Sequence, residues 1–181
     1  MQFPLTPLVS PMLSLALLLA NGNSVAAGDT LVVQHVTRAS ASRQAQEAEQ
    51  AALNYASFWH TGDEHYLPLA LDTHFMDRTL PPGREQGLPG PKAASRAFRS
   101  AVPDLKAEVQ EMIVADDMVT VRLHFTGHFT GRMTTPGGEI KGEGQSVDFL
   151  AYDMYRIQHG RITDNWHLED NLSLQKQLGI H

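Results

Sequence analysis

The sequence predicts an α+β fold in which helices come first and a curved antiparallel sheet of about four long strands then wraps around them, closed by a short C-terminal helix. Three observations carry this expectation. Apolar residues recur at helical spacing as far as residue 101, the period falls to two beyond Pro103, and Asp-Asp or His-Gly pairs mark hairpin turns in the second half.

Residues 1–27 read as an export signal. An apolar run at 13–20 precedes the small residues Ser24-Val25-Ala26-Ala27, which suit cleavage after Ala26 or Ala27. No Lys or Arg precedes Arg38, so the α-amino group is the only positive charge ahead of that run. The run is too short to span a membrane, which takes about 20 residues. A periplasmic or secreted protein is expected, and a cytoplasmic one if the leader is not a signal.

Residues 28–43 are mixed and polar and read as a tether to a single domain at 44–181. Ala48, Ala51, Ala52, Tyr55, Phe58 and Trp59 then form a stripe of small and aromatic side chains on one helical face. Gly62 suits the left-handed residue that ends this helix, and Asp63 suits the cap of a short successor running toward Ala70. Residues 77–90, rich in Pro and Gly, read as an irregular loop. A third helix follows on Ala94, Ala97, Phe98 and Ala101 and stops before Pro103.

Strands are expected at 105–114, 118–130, 144–157 and 161–169. In the second of these, Val119, Val121, Leu123 and Phe125 alternate with polar partners, which gives one buried face. Asp116-Asp117 and His159-Gly160 mark the hairpins, and 131–142 reads as a longer glycine-rich loop. Asp170, just before Asn171-Leu172-Ser173 and the stripe Leu172, Leu174 and Leu178, reads as the N-cap of the last helix rather than as a catalytic acid.

Composition narrows the function classes. The chain has 181 residues, 42% hydrophobic and 19% charged, which suits one ordinary folded domain. A net charge of −6 with no Lys/Arg cluster argues against nucleic acid as a partner. The lack of cysteine excludes disulfides, thiolate catalysis and Cys-ligated metals. His124 and His128 would lie about 13 Å apart along a strand, too far to share one ion, so no metal is expected.

The last hairpin carries the candidate chemistry. If Gln158-His159-Gly160 form a three-residue loop, Ile157 faces Arg161, Asp153 faces Asn165, and Asp153 and His167 become diagonal neighbours on one face. A two-residue turn would set Asp153 opposite Trp166 and turn His167 to the other face. Gly160 as third residue favours the longer loop. A neutral imidazole beside a carboxylate is a ready general base near neutral pH. The bland alternatives are a half-exposed His167 satisfied by Asn165 or water, an Asp153 paired with Arg161 or Arg156, and a surface pair of Asp77 with Arg78.

Ala101-Val102-Pro103-Asp104-Leu105, Thr126-Gly127-His128-Phe129-Thr130-Gly131, the turn from Arg156-Ile157 to Gly160-Arg161-Ile162, Trp166, Asp170 and the closing Gln177-Leu178-Gly179 together resemble the SnoaL-like polyketide cyclases and predicted ester cyclases. The resemblance covers about 45–179. It implies the cone of the nuclear transport factor two-like superfamily, where helices close the mouth of a curved sheet around an apolar pocket. Such cyclases use no cofactor and are usually oligomeric.

In that family the acid/base carboxylate is expected at the position of His167 and a histidine at that of Asp153, so the two residue types stand exchanged. The chemistry implied is removal of a proton next to a carbonyl, giving an enolate that attacks a second carbonyl and closes a ring. His167 is expected as the base and Asp153 as its orienter. Asn165, Asp77, Tyr155 and Phe149 are expected to line the substrate, a small apolar carbonyl compound. Asp77 falls where the family often places a polar pocket residue, commonly Asn or His.

The rival readings are a non-catalytic exported ligand-binding protein on the same cone, a hydrolase of a related ring or ester, and an interaction module if side chains fill the cone. The opposite face of the hairpin carries Tyr152, Met154, Trp166 and Leu168. Left exposed, these predict a homodimer.

Overall fold

The structure is a computed structural model that describes residues 30–135 and 137–180, so the expected export signal lies outside the described residues. In chain order the elements are β1 (Val32–Arg38), α1 (Arg43–Thr61), a 3₁₀ turn (Glu64–Tyr66), α2 (Leu67–Ala70), β2 (Leu71–Asp77), α3 (Pro89–Ala101), β3 (Lys106–Ala115), β4 (Met118–Phe129), β5 (Arg132–Thr135), β6 (Gly138–Lys141), β7 (Gln145–Gln158), β8 (Arg161–Glu169) and α4 (Asn171–Gln177). The fold is α+β, with helices against one face of a curved and mostly antiparallel sheet.

The main sheet has six strands in the order β1-β3-β4-β7-β8-β2. Its four central strands are the long antiparallel ones expected from the two-residue period. The edges differ from expectation. Residues 32–38, read as tether, form β1 and pair in parallel with β3, while residues 71–77 form β2 and pair in parallel with β8. Asp77 is therefore the last residue of a strand rather than part of a loop. The glycine-rich stretch 131–142 holds a small hairpin, β5 paired with β6.

Helix α1 forms where its sequence directs. Ser42 caps it, the side chain accepting from Ala45 N–H at 3.1 Å, and Gly62 ends it at φ 76. Its alanines let it lie close on the sheet. Ala48, Ala52 and Phe58 are fully buried, and Tyr55 stands edge-on to Tyr155 of β7 at 5.8 Å between ring centres. Burying a side chain as large as Phe58 or Leu105 contributes about 2–3 kcal/mol each, and truncating Phe58 to Ala would cost about 3–5 kcal/mol. Among the described residues no helix is long and apolar enough to cross a membrane.

The β7–β8 hairpin settles the register question through two compensating irregularities. The turn has two residues, His159 at φ 50 and Gly160 at φ 68, with Gln158 paired to Arg161. Positive φ at both loop positions suits the type I′ turn, whose twist matches the flanking strands. The three-residue loop favoured from sequence is thus not formed. A bulge then intervenes, because Ile157 pairs with Ile162 but Arg156 pairs with Asp164, which leaves Thr163 as the extra residue. The bulge restores what the short turn removes. Asp153 pairs with His167 directly, not diagonally, and both face the concave side.

Candidate active site

Alternation along the strands sends Ala151, Asp153 and Tyr155 of β7 inward, and Asn165, His167 and Glu169 of β8 inward beside them. On the other flank of β8, β2 ends with Asp77 next to Asn165. Three strands thereby bring three carboxylates, Asp77, Asp153 and Glu169, around one imidazole on an otherwise apolar surface.

His167 is held at both ring nitrogens. Nδ1 donates to Glu169 Oε1 at 2.6 Å, and Nε2 lies 3.1 Å from each oxygen of Asp77. Burial of the ring, whose side chain is 8% exposed, opposes charge, yet the bonds and charges of Glu169 and then Asp77 outweigh it and raise the pKa to about 9. Burial likewise pushes the Glu169 carboxyl up, but the His167 contact more than reverses this and holds it below the usual range. The imidazole is a cation at neutral pH, with both nitrogens engaged. That differs from the neutral base expected at this position, and its orienting partners are Glu169 and Asp77 rather than Asp153.

Asp153 has a different environment. It is 6% exposed, its Oδ2 accepts from the Tyr155 hydroxyl at 2.8 Å, and the Asn165 side chain also hydrogen-bonds it. Desolvation dominates and lifts its pKa to about 6 against the restraint of Tyr155 and His167. Burial and the Asp153 charge push the phenols of Tyr55 and Tyr155 up, so both stay neutral. Asn165 Oδ1 is buried and has no hydrogen-bond partner.

The arginines weighed as partners are used elsewhere. Arg78 pairs with Asp164 at 2.5 Å, Arg161 donates to the Pro68 carbonyl at 2.8 Å, and Arg156 lies over the Trp166 ring at 5.7 Å. Asp170 is the N-cap of α4 and accepts from Ser173 N–H at 3.0 Å. No group of three or more His, Asp or Glu among the described residues is arranged to hold a metal ion.

Phe149 lies on the concave face, stacked on Phe125 with ring centres 5.1 Å apart, while Phe98 packs on Phe149 and Trp59 stands edge-on to Phe125. Accessibility is graded along this face. Phe125, Phe149 and Asp153 keep 5–6% exposure, whereas Tyr155 and Phe58 beneath them keep none. Two surface clefts of about 410 and 390 Å³ flank the β7–β8 turn, the first against α1 and the second against β2, and neither is lined by Asp153 or His167.

Glu169 was not foreseen as a site residue. Its signal was available as the His167-x-Glu169 spacing, which puts both on one side of a strand. Thr79 and Gln86 also went unnoticed: Thr79 Oγ1 accepts from His167 N–H at 2.9 Å, and Gln86 binds the main chain of Asp77. Neither contact leaves a local pattern in the sequence.

Comparison with known proteins gives a consistent picture. The SnoaL-like polyketide cyclase family model matches residues 49–178. A Bacillus cereus ATCC 10987 structure assigned as a polyketide cyclase is 36% identical with a TM-score of 0.72, covering 83% of this chain and 93% of that one. TsrD from Streptomyces laurentii is 25% identical with a TM-score of 0.66 over 78% of this chain and 100% of its own. IdmH from Streptomyces antibioticus, assigned as a polyketide cyclase, shares the fold at 20% identity and a TM-score of 0.61, covering 73% and 98% of the two chains. No curated protein matches the sequence.

Proposed function

The chain belongs to the SnoaL-like polyketide cyclase family, and from that premise we propose that it is a cofactor-independent enzyme that removes a proton next to a carbonyl, with Asp153 as the base. The observation that carries this reading is a desolvated carboxyl on the concave face, directly opposite an imidazolium that two other carboxylates keep charged. A base works best when its pKa lies near the working pH, and burial has moved Asp153 there.

The Asp153 carboxylate takes the α-proton of a carbonyl compound, and the electron pair of the C–H bond moves into an enolate. The positive charge of His167, one strand away, stabilises the developing oxyanion. The enolate carbon bonds to a second carbonyl of the same molecule, and the resulting alkoxide recovers the proton from Asp153. Tyr155 fixes the orientation of the carboxyl throughout. Asn165 Oδ1, lacking a donor, would accept from a hydroxyl of the substrate, and Phe125 and Phe149 would contact its apolar body.

The test is hydrogen–deuterium exchange at the α-carbon of a cyclic β-keto ester, followed by NMR. Exchange should follow a bell-shaped pH profile, rising near 6 as Asp153 ionises and falling near 9 as His167 loses its proton. Exchange in Asp153→Asn equal to wild type would sink the assignment.

We also propose that two copies associate through the convex face. There Tyr152 is 48% exposed, Met154 39% and Leu168 71%, and the cross-strand rows continue to Ile113 at 49%. Such a patch is self-complementary under twofold symmetry. A monomer in sedimentation at micromolar concentration would remove this part.

A further inference from the structure

The charged cluster has a support outside the sheet. In an extended strand the N–H and C=O of one residue point to the same side. At the end of β2, Asp77 directs both away from β8, toward the open edge of the sheet, while the next residue turns back so that Arg78 N–H donates to the Asn165 carbonyl at 2.8 Å. An unpaired N–H and C=O at such an edge would leave the strand end free to fray.

One side chain closes that edge. Gln86 Oε1 accepts from Asp77 N–H at 2.7 Å and from Gly87 N–H at 3.0 Å, and Gln86 Nε2 donates to the Asp77 carbonyl at 2.9 Å. The amide thus plays the part of a neighbouring strand for one residue. On its inner side, the same Asp77 presents its carboxylate to His167 and accepts from Thr79 N–H at 2.9 Å, while the Thr79 hydroxyl accepts from His167 N–H.

We propose that Gln86 is a positioning residue whose two-point bond to the Asp77 main chain holds the Asp77 carboxylate against His167. The loop that carries Gln86 also carries Arg84, whose charge helps keep Glu169 ionised, so one segment supports both partners of the imidazolium. The charged and titratable groups around His167 are then Asp77 from β2, Asp153 and Tyr155 from β7, Glu169 from β8, Tyr55 from α1 and Arg84 from the loop. This inference rests on the proposed function only for its meaning in catalysis, since the bond and its effect exist without substrate.

The experiment is an NMR titration of His167 in the full chain, wild type against Gln86→Leu, which keeps bulk and removes all three hydrogen bonds of the amide, the two to Asp77 included. The midpoint should fall by about one pH unit, a tenfold weaker hold on the proton, with the other histidine midpoints unmoved. Amide exchange supplies a second measurement that needs no variant: Asp77 N–H in the wild type should be protected well beyond an open strand edge. An unmoved His167 midpoint in folded Gln86→Leu, or an Asp77 amide exchanging as fast as a free one, overturns the proposal. Either result leaves the Asp153 assignment standing, because that assignment falls only with the exchange profile of Asp153→Asn.

Discussion

The two faces of the β7–β8 hairpin each carry an exception to the ordinary pattern of a half-buried sheet. The inner face holds Asp153, His167 and Glu169 among aromatic rings, while the outer face shows Tyr152, Met154 and Leu168 to solvent. Sheets of this kind usually bury the apolar set and solvate the charged one. Charges drawn inward must be paired or shifted in pKa, and apolar groups turned outward invite contact. The same strands thus hold a charged cluster on their covered side and apolar side chains on their open side.

Inserting one residue beside Thr163 should have the largest effect. With the two-residue turn and the single bulge kept, the added residue would slip β8 by one position, sending His167 outward and Trp166 inward. Loss of cooperative folding, seen by thermal melting, is expected. Replacing Asp153 by Asn comes next, with a fall of about 10² to 10⁴ in proton-exchange rate.

That same variant should be more stable in alkali. The folded pKa of Asp153, about 6, lies above the ordinary carboxylate value, so its contribution to stability is fully present below about 4 and is lost as pH rises through 6. Asn carries no such charge and can still accept from Tyr155. A gain on the order of 2–3 kcal/mol at pH 8, vanishing near pH 4, should appear in denaturant melts.

Glu169→Gln sharpens the contrast within the inner face. His167 has a folded pKa of about 9, raised from its ordinary value, so the stability it adds is complete below about 6.5 and lost as pH rises through 9. Removing the Glu169 charge should draw that window, and the alkaline limb of the rate profile, toward neutrality by about one pH unit. The smallest effect on folding is expected on the outer face. Leu168→Arg should change thermal stability little while raising the dimer dissociation constant at least tenfold in sedimentation.

Much of this architecture was readable in the chain. The alternation of Val119, Val121, Leu123 and Phe125 announced β4, and Gly62, Asp63 and Asp170 announced helix ends, because those signals are local. β1 and β2 were not readable. Val32–Arg38 is an edge strand exposed along most of its length, so it lacks the apolar alternation that marks a buried face. Leu71–Asp77 depends on parallel pairing with a strand far along the chain.

The turn misled because a non-glycine residue, His159, takes positive φ, which such residues rarely do. The facing of His167 came out as expected only because Thr163 bulges. The pairing of His167 with Glu169 and Asp77, rather than with Asp153, was hidden for another reason. It follows from Glu169 and Asp77 reaching both imidazole nitrogens, a fact of three-dimensional proximity rather than of spacing.

The partnership of Asp77 with His167 joins residues 90 positions apart, and that span governs when the site comes into being. A contact of such long range closes late, after the local hairpins have formed. β2 has no strand to pair with until β8 has been made. A chain cut short before β8 would have helices and most of a sheet, but neither the imidazole of the charged cluster nor its Glu169 partner.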